Sequence, residues 1–192
     1  MKRFLPFLLL MTMLWTAPTA QVQAKKYTVD KVYSTVFFRV RFWKTPFMGR
    51  FDNFDAQLDF DPKKLSATKL TATVKVASVN TNNKVRNRVV HSKAFLDGKS
   101  HPAMTFKSEK VVKVVKNTFW LAGKLTIKGK TLPVVFRVKF LGEADDPWGS
   151  VRAGFSATAT LDRTKFGVTF MPKMIGTKVK LIMNIIMTRK KS

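Results

Sequence analysis

The 192-residue chain contains no cysteine. Disulfides, thiolate metal sites, thiol nucleophiles and redox dithiols are thereby excluded, so any fold rests on its core and its backbone ladders. Histidine is nearly as scarce: His91 and His101 stand alone, at a spacing that fits no zinc motif. Asp97 and Glu109 near them do not complete a recognisable metal set, and neither Ser92 nor Ser108 sits in a nucleophile-elbow sequence. Phosphate-binding and dinucleotide glycine patterns are missing as well. A hydrolase or metalloenzyme built on His91 or His101 therefore has little behind it, and a non-catalytic protein without metal or cofactor is expected. Acidic residues are few, 11 against 36 lysines and arginines, for a formal charge of +25.

The first residues read as an export label. Lys2 and Arg3 precede an apolar run from Phe4 to Trp15, and Val22-Gln23-Ala24 supplies small residues for cleavage. That run falls short of the roughly 20 residues a membrane span needs. Residues 1–24 are expected to be a signal peptide and 25–192 one mature domain, periplasmic or secreted.

From Lys25 onward most of the chain alternates apolar and polar residues at period two, the mark of half-buried strands. Val36, Phe38, Val40 and Phe42 form one apolar row, and Leu70, Ala72, Val74 and Val76 another. Further rows run Phe119–Leu121–Gly123–Leu125–Ile127, Val134–Phe136–Val138–Phe140, and Val151–Ala153–Phe155–Ala157–Ala159–Leu161. Val179, Leu181, Met183, Ile185 and Met187 close the chain. Lys128-Gly129-Lys130 marks a tight hairpin turn. Strands are expected near 103–108, 110–116 and 118–127, and an irregular connection over 162–177. About eight antiparallel strands need their edges hidden, which a closed barrel does. The small residues in the inward rows fit a tapering filled core and a hollow one equally.

One stretch breaks the alternation. From Ser78 to Phe106, Asn80-Thr81-Asn82-Asn83 favours a turn or a helix N-cap. Val85, Val89, Val90 and Phe95 then share a helical face, and Gly98 and Pro102 stop it. A helix from about Arg86 to Leu96, with the loop around Phe47, is expected to guard the mouth of the barrel.

The positive charges lie throughout the chain and often on the polar half of a strand, as at Arg39, Arg41, Arg137 and Lys139. A solubilising outer face and attraction to an anionic membrane surface both follow from this. A stacking platform for nucleic acid does not, because Phe38 and Phe42 take the parity opposite to Arg39 and Arg41. No nucleic-acid partner is expected, and a homodimer is left open.

The ordered set of motifs resembles the YceI-like family of secreted bacterial proteins. Its pieces are Tyr27-x-x-Asp30-x-x-Tyr33-Ser34, Gly49-Arg50-Phe51, Phe60-Asp61-Pro62 and Ser78-Val79-x-Thr81. Arg86, Ala94-Phe95-Leu96-Asp97, Pro102-x-x-Thr105-Phe106, Gly123-x-Leu125-Thr126, Asp162-Arg163-x-x-Phe166-Gly167 and Ile175-Gly176-x-x-Val179 continue it. Tyr33 and Phe42 stand where that family commonly has histidines, and Asn87 and Val89 replace an Asp and a His. The resemblance implies an all-β, lipocalin-like barrel of about eight antiparallel strands with one short helix near its mouth. It also implies that a long apolar molecule, an isoprenoid, an isoprenoid quinone or a fatty-acid derivative, is bound and carried inside. The expected lining is Phe38, Val40, Phe42, Phe47, Val76, Phe95, Leu125, Phe136, Phe155 and Ala157. The alternative is a basic, adhesin-like module that binds anionic membrane or envelope surfaces through its exterior.

Overall fold

Period-two alternation becomes pleated strand almost wherever it occurs. A computed structural model describes residues 24–191, and the expected export label lies outside the described residues apart from Ala24. Its strands are β1 (Lys25–Val29), β2 (Thr35–Phe42), β3 (Thr45–Phe51), β4 (Phe54–Phe60), β5 (Lys69–Lys75) and β6 (Val79–Asn80). After helix α1 (Lys84–His91) come β7 (Ala103–Val115), β8 (Thr118–Ile127), β9 (Lys130–Asp145), β10 (Ser150–Asp162) and β11 (Ile175–Lys190).

These segments join into eight staves of a closed antiparallel barrel. β1 and β2 are one stave, interrupted at Lys31–Tyr33, since both pair with β11. β3 and β4 form the second, paired to β2 and β1 respectively. β5 and β6 form the third, against β4 and β3. β7 to β11 follow in sequence order, and β11 returns to β1 through Thr28↔Thr188 and Val29↔Met187. Consecutive staves are neighbours throughout, so every connection is short or local.

Ser34 explains how the first stave survives its interruption. The Asp30 amide donates to the Ile186 carbonyl at 2.8 Å, and the chain then loops outward. The buried Ser34 hydroxyl donates to that same carbonyl and accepts from the Ile186 amide at 2.9 Å. One side chain thus supplies the rung that the diverted backbone omits.

The expected strands at 103–108 and 110–116 are a single strand, β7, with register shifts between Ser108 and Lys110 and between Val111 and Lys113. β-Bulges absorb the parity change that made them look separate. Gly123 on β8 faces the first of these. A Cβ there would fall 2.4 Å from the Lys107 carbonyl oxygen and 2.7 Å from Ser108 Cα. Backbone cannot yield as a side chain does, so Gly123→Ala is expected to destabilise the barrel by about 1–3 kcal/mol in chemical denaturation. An unchanged midpoint would mean that the bulge relaxes freely.

The barrel is closed at one end. Phe60, fully buried, meets Phe140 and Phe155 with ring centroids 5.0 Å away in each case, and Tyr27 edge-on at 6.2 Å. The Tyr27 phenol donates to Glu143 at 2.8 Å and accepts from Arg189 at 3.1 Å. Burial pushes that phenol above its ordinary pKa, so it remains a neutral donor. At the opposite end stand the β2–β3 turn, α1, the β8–β9 turn and the long connection from β10 to β11.

A candidate ligand cavity

The inward rows do not meet at the barrel axis. They enclose a cavity of about 730 Å³, within the range of small-molecule sites, that extends from the aromatic floor to the helical end. Phe38, Val40, Leu125, Phe136, Phe155 and Ala157 form part of its wall. Phe42, Phe47 and Phe95 lie toward its opening. Small side chains line it on staves four apart in the barrel order, Ala72 on β5 and Ala157 on β10. Phe38 is seated by Gly49, whose missing Cβ would fall 2.4 Å from Phe38 Cζ.

Val76 is a correction. It is 1 % exposed, but it lies off the cavity wall. β5 ends at Lys75, and Val76–Ser78 forms a 3₁₀ turn that breaks the alternation, with the Val76 amide bonded to the Pro102 carbonyl at 2.9 Å. β11 supplies Leu181, Met183 and Ile185, which alternation placed on an inward row without singling them out. Phe170, Met171 and Met174 complete the rim from an irregular segment that carries no periodic signal.

The mouth is built by two connections that hold each other. α1 is shorter than expected, Lys84–His91 against 86–96. The Asn83 side chain caps its start by accepting the Arg86 amide at 2.9 Å, and the Ser92 hydroxyl donates back to the Val89 carbonyl at 2.7 Å. Asp97, at φ 51°, then turns the chain away. No α1 residue is buried, because its valines border the cavity rather than a packed neighbour: Val85, Val89 and Val90 all face the space. Asn87, in place of the familiar Asp, accepts both the amide and the hydroxyl of Thr81. Arg86 donates to the Thr81 hydroxyl at 3.0 Å and stacks 4.5 Å from the Phe47 ring. That contact ties α1 to the β2–β3 hairpin.

Arg163 organises the second connection. It is 6 % exposed and spends its donors on the carbonyls of Val168, Phe170, Ile175 and Gly176. Its guanidinium lies 5.9 Å from the Phe95 ring, which packs on Phe170 at 5.3 Å. Lys128 adds a bridge by donating to the carbonyls of Lys93 and Gly167. Asp162 and Arg163 order this loop separately rather than as a pair with each other. Asp162 accepts from the Thr164 hydroxyl and amide, and its ion pair is with Lys178 at 3.2 Å.

The Thr164 hydroxyl above all, then Lys178 and the Thr164 amide, lower the Asp162 pKa to about 2 against an opposing desolvation. A carboxyl depressed on folding stabilises above its unfolded pKa, 3.8, and loses that contribution as pH falls toward 2. Asp162→Asn is therefore expected to flatten the stability–pH curve between those values and to leave its slope at neutral pH unchanged. Urea unfolding at several pH values checks this, and parallel curves would contradict it.

The two histidines serve packing. His91 Nε2 would lie 2.2 Å from a Cβ on Gly98, and His101 Cε1 2.7 Å from one on Gly129, so each ring covers a glycine. Among the described residues no group of three or more His, Cys, Asp or Glu side chains could hold a metal. Tyr33 is exposed, and Arg152, anchored by Asp30 and Asp146, lies 5.5 Å from its ring.

Comparison with known proteins agrees with this architecture. The sequence pattern of the YceI-like domain matches residues 27–187. The UPF0312 protein of Pseudomonas aeruginosa strain LESB58 is 35% identical over 188 residues, covering 96% of this chain and 97% of that protein. BcnA of Burkholderia cenocepacia superposes with a TM-score of 0.74 at 28% identity, over 82% of this chain and 98% of the other. A polyisoprenoid binding domain from Saccharophagus degradans shares the fold, with a TM-score of 0.61 at 12% identity over 86% of this chain and 98% of its own. With its eight staves, its helix-guarded mouth and its motifs in order from Tyr27 to Val179, the chain belongs to the YceI-like family.

Proposed function

We propose that this protein binds and carries a long apolar molecule in the barrel cavity and performs no chemistry on it. The observation that carries this reading is the cavity itself: about 730 Å³, open toward α1, with walls almost wholly of Phe, Val, Leu, Ile, Met and Ala. Such walls reward transfer of a hydrocarbon chain from water at about 25 cal/mol per Å² of apolar surface, or about 2.5 kcal/mol per 100 Å². Few polar groups reach the wall, so length and shape rather than hydrogen bonding select the cargo. An isoprenoid, an isoprenoid quinone or a fatty-acid derivative suits that description, and the Saccharophagus degradans neighbour, described as polyisoprenoid binding, supports the first. The export label read from residues 1–24 supports a carrier that works in the periplasm or outside the cell. The adhesin-like alternative finds no support in the cavity, which it does not need.

Titration with a fluorescent polyene fatty acid tests the proposal. Saturable uptake at one molecule per chain is expected, with displacement by a long isoprenoid alcohol and none by a short-chain alcohol. Absence of uptake, or equal displacement by both alcohols, would overturn it.

A further inference from the structure

The charges are not spread evenly between the two ends of the barrel. At the open end the β2–β3 turn carries Lys44, α1 carries Lys84 and Arg88, the β8–β9 turn carries Lys128, and the β10–β11 connection carries Lys165 and Lys173. The carboxylates at this end are Asp97, which accepts from the Ser100 hydroxyl at 3.2 Å, and Asp162 at the end of β10, which is held by Lys178. The closed end mixes Asp59, Asp61, Glu143, Asp145 and Asp146 among its lysines, and Asp145 is paired with Lys191.

Apolar side chains crown the same basic rim. Trp43 is 59 % exposed at the tip of the β2–β3 turn, outside the cavity lining, and Phe42, Val85, Val89, Phe170 and Met171 are partly exposed on the lining at the cavity entrance. Trp43 has φ 53°, a left-handed conformation that a bulky residue adopts only under constraint. The two-residue turn between Phe42 and Thr45 imposes it, and an indole is left pointing into solvent at the entrance. The closed end also exposes aromatics, but there the Tyr33 and Trp148 rings lie 5.5 and 5.8 Å from the Arg152 guanidinium, which Asp30 and Asp146 neutralise. Val114, Val115 and Leu141 are exposed toward the closed end as well, so among the described residues it is the free-standing indole and the cavity entrance that set the basic open end apart. Tryptophan prefers the membrane–water interface, and lysines at a membrane surface are drawn to anionic head groups.

We infer that the open end docks on an anionic phospholipid bilayer, with Trp43 and its neighbours entering the interface and the surrounding lysines held at the phosphates. The barrel then stands mouth-down on the membrane, and an apolar chain passes between bilayer and cavity without crossing water. This rests on the carrier reading of the cavity for its purpose, though not for its geometry.

Co-sedimentation of the mature protein with vesicles of phosphatidylcholine alone, and of phosphatidylcholine mixed with phosphatidylglycerol, tests the orientation. Binding to the anionic vesicles only is expected, weakening as salt is raised. Lys44→Glu/Lys84→Glu/Lys173→Glu is expected to reduce it on the order of a hundredfold, at about 1 kcal/mol per lysine near the surface. Trp43→Ala is expected to reduce it several-fold, whereas Lys63→Glu/Lys64→Glu/Lys116→Glu at the closed end leaves most of it in place. Circular dichroism on each variant confirms the barrel, and fatty-acid uptake on the same samples keeps the two readings apart. Full uptake without vesicle binding sinks docking and spares the carrier, and vesicle binding without uptake does the reverse. Equal loss from open-end and closed-end variants would show unoriented adsorption and overturn the inference.

Discussion

An Ala157→Trp variant takes up no long-chain lipid while its barrel stays folded. Ala157 sits midway along β10, flanked by Val138 on β9 and Met183 on β11, with its methyl on the cavity wall. In a filled core an indole at such a site would force neighbours off their rotamers at about 1–3 kcal/mol or more. Here the side chain enters about 730 Å³ of existing space, so the ladder on either side need not move. The new ring then occupies the volume a lipid chain would fill. The fluorescent fatty-acid titration should therefore fall to background, with the thermal midpoint shifted by only a few degrees. Ala72→Trp repeats the experiment from the opposite wall and is expected to give the same result. Folded variants with unaltered uptake would remove the cavity from the account.

Arg163→Leu has a different signature: a large loss of stability centred on the mouth. The guanidinium satisfies four backbone carbonyls that the β10–β11 connection leaves without strand partners. Burial lowers its pKa from the ordinary value, and the neighbouring Asp162 opposes that fall. It stays a cation, because its ordinary value is far above neutral pH. Leucine fills part of the volume but leaves those acceptors bare, and at about 1 kcal/mol or more for each the expected cost is about 3–5 kcal/mol. For a barrel of this size that corresponds to a midpoint lower by roughly 6–20 °C. Because Phe95 packs on Phe170, the damage should spread to the segment after α1. Limited trypsin digestion reports where: early cuts at Lys165 and Lys173 are expected in the variant and not in the parent. Arg163→Lys, with one donor group in place of a planar fork, should recover only part of the stability. A shift below about 1 kcal/mol would mean that water satisfies the loop just as well.

How much of this was legible in the sequence divides along physical lines. Alternation at period two reports which way each side chain points, so the inward rows on β2, β8, β9, β10 and β11 could be read directly, and with them the closed barrel. Alternation says nothing of the distance between opposite walls. The choice between a filled and a hollow interior stays open until the structure shows a cavity of about 730 Å³ between the walls. Val76 was misplaced because parity was carried one residue past the end of β5, into a turn where it no longer holds. The helix reads too long in the sequence because no glycine or proline interrupts it between Arg86 and Gly98, whereas Ser92 already closes the last turn. Phe170, Met171 and Met174 reach the cavity from a connection whose shape is set by Arg163, and no local pattern announces a contact made through a distant guanidinium. Ser34 is the opposite case: the motif held the residue, and only the register at Ile186 revealed it as a missing rung.

The central claim is that the barrel is hollow in order to hold an apolar chain. Purification of the protein from its native host, denaturing extraction into organic solvent and mass spectrometry of the extract address it most directly, with refilling of the stripped protein on the same sample. The account predicts one isoprenoid or acyl chain per protein in the extract, and restored occupancy when that lipid is offered again. A protein that yields no lipid, and that also excludes every long-chain isoprenoid and fatty acid supplied in excess, would contradict it.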